Sequence, residues 1–95
     1  AEETISRYKA EAAEQQAGLT DYAASGKEST YWALNDVATA HFILGKIYAA
    51  ASNTEKAKEN FNAVINKYGF AQCATEDNTS YWKVITAAKE ELAKL

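Results

Sequence analysis

The side chains able to do chemistry are few and scattered. His41 is the only histidine and Cys73 the only cysteine of the 95 residues. His41 has no second histidine or cysteine at a metal-ligand spacing. It lies on an apolar helical face, so its expected role is hydrogen-bonded packing. Cys73 lacks a Cys-x-x-Cys partner and stands in the apolar stretch Phe70-Ala71-Gln72-Cys73, where a buried thiol is expected. A single cysteine excludes an internal disulfide and a cysteine-based zinc site. A Cys–His nucleophile would need a third, orienting group and an oxyanion site. The acidic pairs Glu2-Glu3, Glu76-Asp77 and Glu90-Glu91 are sequence neighbours. Adjacent helical side chains point in different directions, so these are poor acid/base pairs and read as solvated faces. No glycine-rich phosphate loop or serine nucleophile elbow is present. The expectation is a chain with no catalytic residue, no metal and no cofactor.

What must position these residues is helical. Leu34, Val37, His41, Leu44, Tyr48 and Ala51 step by three and four and share one face; Ala57, Phe61, Val64, Ile65 and Tyr68 do the same. Ser52, Asn53 and Thr54 between them are good caps and poor helix-interior residues. A break this short predicts a helical hairpin. Four helices are expected, over 2–17, 27–51, 55–68 and 79–94, in a single domain spanning 1–95. In the first, Ile5, Tyr8 and Ala12 form an apolar edge that weakens at Gln15 and Gln16, with Gly18 ending it. Leu19 and Tyr22 are expected to tuck back onto the core. Ala33, Ala40, Ile43, Ile47 and Ala50 give the second helix another apolar face, which predicts neighbours on two sides. Gly69 is expected to stop the third helix, and 70–78 to be a connection. Tyr81, Ile85, Ala88, Leu92 and Leu95 form the fourth helix's buried stripe. Ser29-Thr30-Tyr31-Trp32 and Thr79-Ser80-Tyr81-Trp82 are chemical echoes, each expected to open a helix, with Ser29 and Asn78 or Thr79 as candidate caps.

The hairpin's key residues are Leu44-Gly45, then Tyr48, Ala57 and Phe61. This pattern resembles one tetratricopeptide repeat, whose period is about 34 residues, over roughly 38–71. Gly45 allows close helix approach, Ala57 is small at the crossing, and Tyr48 and Phe61 fill the space beside it. The chain departs from the pattern at His41, Val64 and Gly69, where the repeat usually has a bulky aromatic, a small residue and proline. The resemblance implies an all-α, right-handed hairpin array closed by a C-terminal capping helix. It further implies a groove between helices two and four, lined by Trp32, Asn35, Thr39, Phe42, Lys46 and Ala49 from one and Trp82, Thr86 and Lys89 from the other. Phe42 replaces one member of the family's carboxylate clamp, so that clamp is not expected. Aromatic area with lysines would suit an extended peptide or an acidic tail. Equally, Trp32 and Trp82 are large enough to be wanted in the core of so small a domain, at about 1.5–3 kcal/mol each.

Composition bounds the function. Net charge is −3 with acidic and basic residues interspersed and no basic stripe, so nucleic acid is not an expected partner. No apolar run approaches the roughly 18 residues of a membrane span. The chain contains no methionine and starts at Ala1, which fits a processed mature chain or a piece of a longer one. Localisation stays open between the cytoplasm and the periplasm or exterior. The leading expectation is a non-catalytic protein- or peptide-interaction module. The alternatives are an accessory domain binding a small ligand such as a carbohydrate on a Tyr-Trp platform, and a structural domain that stacks on its own copy.

Overall fold

The longest helix carries the fold. A computed structural model describes residues 2–23, 28–75 and 80–95, and in it α2 runs Trp32–Ala50 between α1, Glu2–Ala17, and α3, Thr54–Lys67. It packs along both. Leu34, Val37 and Ala38 of α2 are buried against Ala12 of α1 and Ala57, Phe61 and Val64 of α3. Ala38 apart, these are residues that the three-and-four spacing puts inward. The chain continues through β1, Gln72–Ala74, and β2, Tyr81–Lys83, into α4, Val84–Ala93, which packs chiefly on α3 through Val84 and Ala88.

The break between α2 and α3 shows how local chemistry turns the chain. Ser52 adopts φ 62°, the left-handed region, immediately after the helix. Its N–H donates to the Ala49 carbonyl at 3.1 Å, and the Asn53 N–H to that of Tyr48 at 2.8 Å. This is a Schellman closure, with serine in the position glycine usually takes. Asn53 then serves the next helix, its side chain accepting from the Lys56 N–H at 3.4 Å. At the other end of α3, the helix stops at Lys67 and Gly69 does not take a left-handed φ. The helix thus ends just before Gly69, the expected stop, but without a left-handed glycine; Tyr68, buried, is the last residue to donate its N–H into the helix, to Val64.

The all-α expectation needs amending, because the largely helical fold includes a two-stranded antiparallel sheet. Tyr81 and Trp82 do not open a helix. They pair with Ala74 and Cys73 in β2, and the fourth helix begins only at Val84. Tyr81–Trp82 are aromatic residues that suit a pleated, half-buried surface, and the neighbouring Gln72–Ala74 segment supplies the partner. Asn78 and Thr79, the candidate caps, lie outside the described residues. The second helix also starts later than expected. Glu28–Tyr31 is a 3-10 turn, and Tyr31, not Ser29, occupies the cap position without a capping side chain. Leu19 packs against the core, and Tyr22 meets Phe70 edge-on at 5.5 Å, as the tucked-loop expectation requires.

Two neighbouring glutamines secure α1. Gln15 Oε1 accepts the Leu34 N–H at 2.9 Å, satisfying a donor in the first turn of α2 that has no intrahelical acceptor. Gln16 Oε1 accepts the Phe70 N–H at 3.0 Å. The weakening of the apolar edge at these positions is thus a change of function, from packing to capping across the fold.

Candidate functional site: a groove beside a strand edge

The two apolar faces of α2 have different fates. Ala33 and Ala40 of the second face are buried, but Ile43 and Ile47 are 46% and 55% exposed, as is Trp32 at 46%. The expected neighbour on this side does not cover its length. Instead the face forms one wall of an open groove of about 560 Å³, lined by Trp32, Asp36, Thr39 and Ile43 of α2, with β1 opposite and Thr4 of α1 contributing. Tyr81 of β2 completes the lining, while Asn35 ties the two walls together.

That tie reveals how β1 faces the groove. The Val84 N–H donates to the Ala71 carbonyl at 3.3 Å and the Thr75 N–H to the Ser80 carbonyl at 2.9 Å, bracketing the strand pair. Antiparallel ladders alternate, so Cys73 and Trp82 exchange the bonds between them, while the backbone groups of Gln72 and Ala74 point away from β2. The Gln72 N–H is accepted by Asn35 Oδ1 at 2.8 Å, on the α2 side. The outer edge of β1 therefore lies along the groove.

Of the groove residues expected from sequence, the structure brings Trp32, Asn35 and Thr39 together here. Trp32 rests edge-on against Tyr8, ring centroids 5.0 Å apart. Phe42, Lys46 and Trp82 form a different group: Trp82 meets Phe42 edge-on at 5.6 Å, and Lys46 Nζ lies 5.6 Å from the Phe42 ring centroid. Phe42 leans in turn on Phe61 in the core. Thr86 and Lys89 are exposed on α4, and neither they nor the Phe42 group line the groove. The two tryptophans thus have separate surroundings, Trp32 at the solvent edge and Trp82 half-buried.

Sequence reading missed Asp36 and Ile43 as groove residues. Asp36 is the only side chain charged at neutral pH among the described residues that line the groove, and the groove walls push its carboxyl above the ordinary value by taking water from it. It forms no ion pair among the described residues. The available signal was the row Trp32, Asp36, Ile43, Ile47, which follows one helical face. The remaining chemistry is internal. His41 Nδ1 is 2.8 Å from Asn60 Oδ1, and its ring stacks on Tyr68 at 5.7 Å. Asn60 Nδ2 donates to the Lys56 carbonyl, which turns Oδ1 toward the ring and assigns the proton to Nδ1. Cys73 is a free, half-buried thiol directed at its neighbour's carbonyl. Among the described residues, no three His, Cys, Asp or Glu side chains are grouped to hold a metal, and no helix is long and apolar enough to cross a membrane.

No protein-family model, curated protein or solved structure matches the chain. The groove's own chemistry is therefore what bears on function: aromatic and aliphatic area, the Asp36 carboxylate, and an outward-facing strand edge.

Proposed function

We propose that this chain is a non-catalytic protein- or peptide-interaction module, built on a tetratricopeptide-like hairpin and closed by α4 as a capping helix. The observation that carries the binding role is the uncovered apolar row of Trp32, Ile43 and Ile47 running into the groove. An apolar strip rimmed by polar groups is how partner-binding surfaces differ from scattered exposed residues. The hairpin assignment is supported by Gly45 and Ala57, both buried, with the Phe61 ring of α3 packed against Gly45 of α2. In this arrangement the partner lies along α2 and β1, in place of a groove between helices two and four. A sugar-binding platform gains little support, since Trp32 and Trp82 rest on different neighbours. Self-stacking is supported by the same apolar row and is the competing reading.

Selection of a phage-displayed library of random linear peptides on the immobilised protein tests the proposal. Peptides that bind the wild type and are lost on Ile43→Glu, with helicity unchanged, support it. Selection of none, or only of peptides indifferent to Ile43→Glu, overturns it. A melting temperature that rises with protein concentration, and ceases to do so on Ile43→Glu, assigns the row to self-association instead.

A further inference from the structure

This inference rests on the peptide-binding reading of the groove and specifies its occupant. An outward-facing strand edge presents main-chain donors and acceptors that another strand satisfies. On β1 the Gln72 N–H is already taken by Asn35, whose side-chain carbonyl stands where a neighbouring strand's carbonyl would be. The Ala74 N–H points the same way, with no acceptor among the described residues. The Gln72 carbonyl shares that direction, and among the described residues the Ala74 carbonyl is approached only by the Cys73 thiol, at 3.6 Å. Trp32 and Ile43 wall the groove beside this edge, and Asp36 is the charged side chain among the described residues that line it.

We propose that an extended peptide carrying a basic residue adds to the outer edge of β1 as a third strand, seated between that edge and α2. Ala74 would exchange both main-chain bonds with one peptide residue, and the Gln72 carbonyl would accept another peptide N–H. Alternate peptide side chains would then reach Trp32 and Ile43, the pattern by which strand addition combines main-chain affinity with side-chain selection. The charge of the groove selects the partner. A second copy meeting this face about a two-fold axis would bring its own Asp36 into the same contact, and the chain already carries net charge −3. A lysine or arginine on the peptide instead gives the unpaired carboxylate a counterion.

The peptides selected from the random linear library, synthesised and bound to the wild-type protein, are the probe. Amide hydrogen exchange of the complex is the primary measurement. The Ala74 amide should exchange quickly in the free protein and slow in the complex, while the Cys73 amide, already in the ladder, changes little. Selected sequences should be enriched in lysine or arginine, and Asp36→Asn should weaken binding about fivefold. Ala74→Pro removes the outward N–H without breaking the ladder and should weaken binding about tenfold. If Ala74→Pro fails to fold, exchange on the wild type still decides. Peptides that require Ile43 but leave Ala74 exchange unchanged would overturn strand addition while the interaction-module reading stands. An Ala74 amide protected in the free protein only at high concentration would hand the edge to a second copy. Failure to select any Ile43-dependent peptide would remove both.

Discussion

The Phe61 ring occupies the place where a side chain on Gly45 would begin. A Cβ at position 45 would lie 2.5 Å from Phe61 Cε1 and 2.8 Å from Cδ1 and Cζ. Phe61 is fully buried, so its ring has no free direction in which to yield. This contact fixes how closely α2 and α3 approach.

Gly45→Leu should therefore destabilise the fold by about 1–3 kcal/mol through overpacking. Chemical denaturation measures this directly. Gly45→Ala in a Phe61→Leu background should cost less than in the wild type, because the two positions share one volume. Additive losses would mean that the ring does not set the helix spacing.

Ser52 holds a conformation in which its Cβ is a burden. Left-handed backbone costs a non-glycine residue about 1–2 kcal/mol, partly offset by the greater entropy glycine loses on folding. Ser52→Gly is expected to stabilise by about 1 kcal/mol or somewhat less. For a domain of this size that is a rise of about 4–8 °C per kcal/mol in melting temperature.

Gln15 separates two accounts of α1. If the position only packs, Gln15→Leu should stabilise. Its capping bond to the Leu34 N–H predicts the reverse, a loss of about 1 kcal/mol in urea unfolding. Gln16→Leu should act likewise through Phe70.

His41 sets a pH dependence. Burial lowers its pKa from the ordinary 6.5, Lys67 adds to the lowering, and the Asn60 bond opposes both. The unfolded chain thus takes up a proton before the folded one, so stability falls as pH drops below about 6.5 and levels off below the folded pKa. The slope from one such group cannot exceed about 1.4 kcal/mol per pH unit. Unfolding midpoints of wild type and His41→Gln between neutral and mildly acidic pH should converge as pH falls. Parallel profiles would contradict this.

The helical hairpin was legible because its information is local. Leu34, Val37, Phe61 and Val64 recur at the helical period, and Asn53 carries its capping acceptor beside the helix it caps. Gln15, Gln16 and Asn35 were not legible in their roles. Each uses a side-chain oxygen to meet a backbone N–H far along the chain, and no periodicity encodes such a pairing. Tyr81 and Trp82 were misread because Tyr81 and Ile85 also fit a helical stripe, and short apolar runs do not distinguish strand from helix. The groove was read in part for the same reason. Trp32, Asn35 and Thr39 follow one face of α2, whereas the opposing wall depends on β1, a strand known only from its pairing.

The adjacent glutamines have a kinetic consequence. The α2–α3 hairpin closes through a break of a few residues, but the Gln16–Phe70 link joins positions separated by 54. Loop-closure entropy delays such contacts. The hairpin is therefore expected to form before the Gln16–Phe70 link closes. Because one helical turn clasps two distant segments, release of α1 would free the Leu34 and Phe70 amides together, coupling the opening of the amino-terminal helix to that of the turn before the sheet.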